Sequence, residues 1–305
     1  MTPKLKRYAD KWRKKINKAL DFYLPSENKS LQDKILKAMR YSIFAGGKRL
    51  RPILVIAGAE TCGLSGEKAM PTACALELVH TYSLIHDDLP AMDDDCLRRG
   101  FPTSHIVFGE GMAILAGDSL LTYAFDLIAK NGKILDSGPA SIPEVTHIVA
   151  ECAGFSGMVG GQVVDLEMGE GKWMKQPPKK QIEILKMIHE CKTSALIKAS
   201  VTAGAVLAGA SRKEVNHLAE YGRDIGMAFQ IADDILDLVG DKKLLGKKGS
   251  DIKNKKLTYP AIYGIERSKE HARHLITAAK DSLKIFGSRA VILSELADYI
   301  VNRTH

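Results

Sequence analysis

The 305 residues carry 44 Lys and Arg against 36 Asp and Glu, a net charge of +8, which favours anionic ligands in general; no nucleic-acid recognition motif or aromatic platform accompanies it. Five cysteines, none in a C-x-x-C pair, exclude a disulfide framework or a zinc ribbon and fit reduced thiols in a cytoplasmic setting. No linker composition divides the chain, so one domain over 1–305 is expected, and no apolar leader or bilayer-length run points to stable membrane insertion.

Leu5, Tyr8, Trp12, Ile16, Ala19, Leu20 and Tyr23 recur at helical spacing with Lys and Arg opposite, which predicts a basic surface helix docked by its apolar face. Helical patterns follow over 31–44, 52–61, 69–88, 113–129, 141–152, 179–207, 213–238 and 272–286. Period-two alternation is scarce and the breaks carry Gly, Pro or charge, so the fold class reads as all-α, with about ten helices.

The break Gly46-Gly47-Lys48-Arg49-Leu50-Arg51-Pro52 sets cations beside two glycines that permit close backbone approach, an arrangement able to hold a phosphate. The helix over 69–88 then places His80, Ser83, Leu84 and Asp87 on one inward face and runs into Asp88, Pro90, Asp93, Asp94 and Asp95. Pro90 lacks an amide donor and restricts Leu89, so the helix is expected to loosen there and return Asp93 toward Asp87. Arg98 and Arg99 follow, with forked guanidinium groups that suit phosphate oxygens or simple neutralisation of Asp94 and Asp95. Lys192 and Thr193 sit within an apolar helix, the ammonium either inward or snorkelling.

A second acidic motif, Gln230-Ile231-Ala232-Asp233-Asp234-Ile235-Leu236-Asp237, follows Phe229 and sets Asp233 and Asp237 one turn apart. Carboxylates among apolar groups need cations. Hard oxygen donors with room left for water and phosphate describe magnesium rather than zinc or copper, and neither motif has the Gly and terminal Glu of a calcium loop. Last, the stretch from Gly246 through Lys247, Lys248, Lys255 and Lys256 has the composition of a lid over an anion.

Together these residues resemble the trans-prenyl diphosphate synthases, specifically the bacterial farnesyl diphosphate synthases, over nearly the whole chain from Leu31. The carriers are GGKRLRP from Gly46, LIHDDLPAMDDDCLRRG from Leu84, LAGDSLL from Leu115, GMVGGQVVDL from Gly157, KTSALI from Lys192 and FQIADDILD from Phe229. The resemblance implies an isoprenoid synthase fold with helices around a deep central cavity, a homodimer, and three magnesium ions. Asp87, Asp93 and Asp233 would bind the ions, with Asp88 in support. Arg98, Lys192 and Lys256 would hold an allylic diphosphate, Lys48, Arg51, His80 and Arg99 the diphosphate of isopentenyl diphosphate, and Lys247 would be the substrate-binding lysine of the lid. Thr193, Gln230 and Phe229 would face the reacting carbons. Lys247 departs from the family spacing, with one residue rather than two before the following Gly249.

Such a site would ionise the allylic diphosphate, let the second double bond attack, and lose a proton. Tyr82, five residues ahead of Asp87, with Ser83 beside it, resembles the aromatic plug of farnesyl diphosphate synthases. Expected product length is therefore fifteen carbons, with geranylgeranyl or geranyl diphosphate as alternatives. A class I terpene cyclase and an inactive regulatory subunit are further from the pattern. The second acidic motif and the cations around Lys48 disfavour the first, and the full set of aspartates the second.

Overall fold

The computed structural model describes residues 1–26, 32–135, 139–169, 171–239 and 257–302. Fourteen α-helices are described, and the only strands among these residues are two antiparallel pieces, Leu97–Arg98 and Phe101–Pro102. The all-α reading holds. Helix α1 (Pro3–Tyr23) buries Leu5, Trp12, Ile16 and Leu20 and leaves its lysines outside, as the periodicity predicts. Thr2 caps it, its hydroxyl accepting from the Leu5 amide.

Helices α2 (Asp33–Phe44), α3 (Leu50–Thr61) and α4 (Met70–Asp87) follow, then the hairpin, α5 (Ser104–Phe108), α6 (Glu110–Asn131), α7 (Ile142–Ala153) and α8 (Met158–Glu167). The chain continues as α9 (Pro178–Ile188), a π-helical turn (His189–Ser194), α10 (Ala195–Leu207), α11 (Arg212–Val239), α12 (Tyr259–Tyr263), α13 (Ile265–Ser282) and α14 (Val291–Asn302). The single pattern over 179–207 is thus one continuous helical run interrupted by a π turn, a device that shifts side chains off the helical register and often marks a working site.

Helices α3, α4 and α10 form the centre. Almost every residue of α3 and α10 is buried, so these helices are apolar all round rather than striped. They cross with backbones touching: a Cβ at Gly58 would strike the Val201 carbonyl, and one at Gly204 the Val55 carbonyl. Helix α6 packs along α4, and α11 along α10 and α13. By length and composition α6 could cross a membrane, a property that buried core helices share.

Four helices escape the sequence reading. Gly160 and Gly161 lower the helical propensity of α8, α5 and α12 have five residues each, and α14 buries a stripe at helical spacing, Leu293, Leu296, Ala297 and Ile300. Helix α13 starts earlier than expected, at Ile265, because its first turns are charged and bury only Ser268 before Ala272.

One buried ion pair ties the front of the bundle. Arg49 takes a left-handed backbone (φ 54°), which turns its guanidinium inward to Glu77 at 2.7 Å, with the Asn17 side chain and the Ile43 carbonyl as further acceptors. Both side chains are 2 % exposed. Glu77→Ala strands that guanidinium without its counter-charge, and a loss of about 3–5 kcal/mol is expected, read as a lower urea midpoint at unchanged slope.

Candidate active site

A cavity of about 450 Å³ opens between α3, α4, α8 and the π turn. The stripe His80, Ser83, Leu84 and Asp87 lines its α4 wall, as the spacing predicts, together with Tyr82. Tyr82 is 6 % exposed and meets the His86 ring edge-on at 5.7 Å. His86 in turn presses on Gly117 of α6, where a Cβ would overlap the imidazole; this close approach accounts for the small residue in LAGDSLL. The Ser83 hydroxyl donates back to the His80 carbonyl at 2.9 Å.

Beyond Asp87 the helix ends and the loop folds back. The Asp93 amide donates to the Asp87 carbonyl at 2.9 Å, and the Met92 and Asp94 amides both donate to that of Leu89. Burial pushes the Asp87 carboxyl up to about 6, with Lys192 opposing and Asp93 adding repulsion. Asp88 points elsewhere. It is 4 % exposed and accepts from Arg98 Nε at 2.9 Å, while a terminal nitrogen of Arg98 reaches Asp95 at 3.2 Å. Adjacent aspartates therefore serve different ends: Asp87 faces the cavity, and Asp88 pins the hairpin that carries Arg98.

The cationic end is equally sorted. Burial pushes the Arg51 guanidinium down to about 10, against the pull of Glu77 and Asp233 and with Arg99 adding repulsion. Its Nε has no hydrogen-bond partner. His80 lies well below the usual imidazole range, first from burial and then from Arg51, Arg99, Arg98 and Arg49, so it is a neutral ring amid cations. Arg99, itself at φ 55°, donates to the Gly46 carbonyl. Lys48 is exposed and does not line the cavity. The Asp233 carboxylate acts electrostatically on Arg51, so the second acidic motif lies within electrostatic reach of the basic loop.

The π turn supplies the third wall. Lys192 Nζ donates to Asp165 Oδ2 at 2.6 Å, and Thr193 Oγ1 donates to Gln230 Oε1 at 2.8 Å. Gln230 Nε2 then donates to Asp234 Oδ1 at 3.0 Å, whose other oxygen accepts the Tyr259 amide at 2.8 Å and lies 3.2 Å from His189 Nε2. The His189 ring stacks on Tyr259 at 5.3 Å. Asp233 and Asp237 are partly exposed, whereas Asp234 is buried. Phe229 packs against the main core one turn before Asp233. Lys247, Lys256 and Arg303 lie outside the described residues.

The structure brings Arg51, His80, Asp87, Lys192 and Thr193 of the expected site residues to one cavity, and adds Gln162 in its wall, with Asp165, His189 and Asp234 as partners of the groups around it, to which sequence reasoning gave no role. The signal for the first two was Gln162-Val163-Val164-Asp165, polar groups three apart on an otherwise apolar stretch after two glycines. Among the described residues no three His, Cys, Asp or Glu side chains converge into a finished metal cage. The donors present, carboxylate oxygens in small number rather than thiolates or a histidine cluster, suit a cation that keeps water and substrate oxygens among its ligands.

A polyprenyl synthetase family model matches residues 32–285. The chain is 49 % identical over 273 residues to a geranylgeranyl diphosphate synthase of Cyanophora paradoxa, covering 89 % of this chain and 88 % of that one. It is 43 % identical over 306 residues to the farnesyl diphosphate synthase of Bacillus subtilis strain 168, covering both fully. A solved FPP/GFPP synthase from Zymomonas mobilis superposes with a TM-score of 0.85 at 34 % identity, over 99 % of this chain and 100 % of that one. The helices around the cavity thus have the all-α isoprenoid synthase fold, and the chain belongs to the polyprenyl synthetase family, as a prenyltransferase of the trans-prenyl diphosphate synthase kind.

Proposed function

We propose that the protein condenses isopentenyl diphosphate with dimethylallyl and then geranyl diphosphate to give (2E,6E)-farnesyl diphosphate. The observation that carries this reading is one cavity whose lining combines Arg51 and His80 from the basic loop and α4 with Asp87, Lys192 and Thr193. Two diphosphates need two sets of cationic contacts, and a cyclase would need only one.

In the proposed reaction Asp87 and Asp93 on one side and Asp233 on the other, with Asp88 in support, hold magnesium; the raised proton affinity of Asp87 suits a carboxylate placed to receive a cation. Up to three ions there would neutralise charge growing on the leaving diphosphate. Lys192 and Arg98 grip the same group, aided by Lys256 and Lys247, and Arg51, Arg99, Lys48 and His80 hold the second diphosphate. Neutral His80 can donate one N–H there without adding charge. As the C–O bond breaks, the Thr193–Gln230 pair presents oxygen to the allylic cation, with the Phe229 ring behind it. The walls Leu84, Met158 and Val159 exclude water that would quench the cation. The double bond of isopentenyl diphosphate then attacks, and the released diphosphate takes the proton.

Tyr82 supports a fifteen-carbon product, since its ring occupies the wall five residues ahead of Asp87. The 49 % identical geranylgeranyl relative favours a twenty-carbon product as the second reading. Exposed Ile106, Val107, Ile114 and Leu115 on α5 and α6 support a homodimer, and five free thiols support a cytoplasmic setting.

The test is incubation with magnesium, isopentenyl diphosphate and each of the dimethylallyl, geranyl and farnesyl diphosphates, followed by mass analysis of the dephosphorylated alcohols. Farnesol is expected to dominate, geranylgeraniol would move the product to twenty carbons, and no elongation from any starter would refute the reaction. Tyr82→Ala is expected to shift the main product from farnesol to geranylgeraniol; an unchanged product distribution would refute the plug.

A further inference from the structure

Gln162 has an unusual environment for a polar side chain. It is 9 % exposed, and both its amide nitrogen and its amide oxygen lack a hydrogen-bond partner. It lines the same cavity as Asp87, Lys192 and Thr193. Both atoms are sealed from solvent as well as unpaired; buried amides are normally satisfied within the protein, and one left without a partner in a cavity wall gains its hydrogen bonds by turning to the polar atoms of something that enters.

Its position is narrowly set. Gly161, the preceding residue, touches the backbone of Lys192 so closely that a Cβ there would overlap it. One turn further along α8, Asp165 takes the Lys192 ammonium at 2.6 Å. Lys192 in turn acts electrostatically on Asp87. Gln162 therefore borders the corner where the allylic diphosphate of the proposed reaction would be gripped.

We propose that Gln162 is a further catalytic residue of the condensation, contacting the allylic substrate at the carbon–oxygen bond that breaks. On turning into the cavity, its Nε2–H donates to a diphosphate oxygen and its Oε1 faces C1. When the C1–O bond breaks, its electron pair passes to diphosphate and positive charge spreads over the allyl group. The π pair of isopentenyl diphosphate then forms the new C–C bond to C1, and a proton goes to the released diphosphate. Gln162 neither gains nor loses a proton. A neutral amide suits this place because one group serves both charges at once: the donor meets the departing anion and the acceptor meets the cation. A carboxylate there would repel the diphosphate. This role rests on the proposed function, since it requires an allylic diphosphate in the cavity.

The test uses Gln162→Met, which keeps the volume and removes the dipole, and Gln162→Glu. Steady-state turnover with geranyl and isopentenyl diphosphates is measured beside the calorimetric affinity for geranyl S-thiolodiphosphate, which resists ionisation. Gln162→Met is expected to lower kcat about 10- to 100-fold and to weaken the analogue about tenfold. The melting temperature and the KM for isopentenyl diphosphate are expected to stay unchanged. Gln162→Glu should lose at least as much, with the analogue weakened further. A methionine variant within twofold of wild type in both kcat and analogue affinity would overturn the proposal, because shape alone would then suffice. So would a parallel loss of stability and of affinity for isopentenyl diphosphate. Wild-type protein that binds the analogue and elongates no starter would instead refute the reaction, and the affinity ratio between wild type and Gln162→Met would still judge the contact.

Discussion

Asp87→Ala is expected to lower kcat by about a thousandfold while making the metal-free protein more stable at neutral pH. The two effects come from one cause. Burial raises the Asp87 carboxyl to about 6 from an ordinary value of 3.8, so the folded protein holds an ionised group that would be better solvated in the unfolded chain. A carboxyl whose folded value is raised stabilises the fold fully below its unfolded value, and that contribution is lost as pH rises through the folded value. In chelator, Asp87→Ala should therefore exceed wild type in stability by about 1–3 kcal/mol at pH 7, and the gain should vanish below about pH 4. Lys192 loses no hydrogen bond, since its partner is Asp165. Lost activity accompanied by lost stability at pH 7 would show that Asp87 holds the fold rather than a cation.

The contrast between Asp87 and its neighbour shows where the sequence is legible. Helical spacing put Asp87 on the inward stripe with His80, Ser83 and Leu84, and Pro90 accounted for the loop that returns Asp93, whose amide does meet the Asp87 carbonyl. Local rules sufficed because every partner lies within a few residues. The fate of Asp88 depends on Arg98, which the positive-φ turn at Arg99 and Gly100 brings back to it. The same limit applies to the basic loop. Arg49 and Arg51 look alike in sequence, and a left-handed backbone together with Glu77 from another helix commits Arg49 to the core. Asp165 finds Lys192 from 27 residues away because Gly161 lets α8 lie against the π turn. That turn is itself invisible in an unbroken helical pattern. Fold class and the inward stripe of α4 thus followed from periodicity and the remaining cavity residues from motif resemblance, while the pairing of each charge required the packing.

Asp234 carries the strongest consequence of such pairing. It lies beside Asp233 in the second motif, yet it is 4 % exposed and spends its oxygens on the Gln230 side chain and the Tyr259 amide, with His189 alongside. Through these groups it joins three pieces: α11, the start of α12, and the π turn that presents Lys192 and Thr193. Asp234→Ala leaves the Tyr259 amide without its acceptor. It also deprives His189 of the partner at Nε2, when Nδ1 already has none. The expected loss is about 3–5 kcal/mol in stability and at least tenfold in kcat, as Gln230 is freed from its orientation toward Thr193. Asp234→Asn retains one acceptor oxygen and should recover part of both. Asp233→Ala provides the opposing case: partly exposed and within electrostatic reach of Arg51, it should cost more in kcat than Asp234→Ala and far less in melting temperature. Urea unfolding and steady-state turnover on the three variants separate the roles. Equal stability losses at 233 and 234 would mean that the buried aspartate is no more a structural clamp than its neighbour.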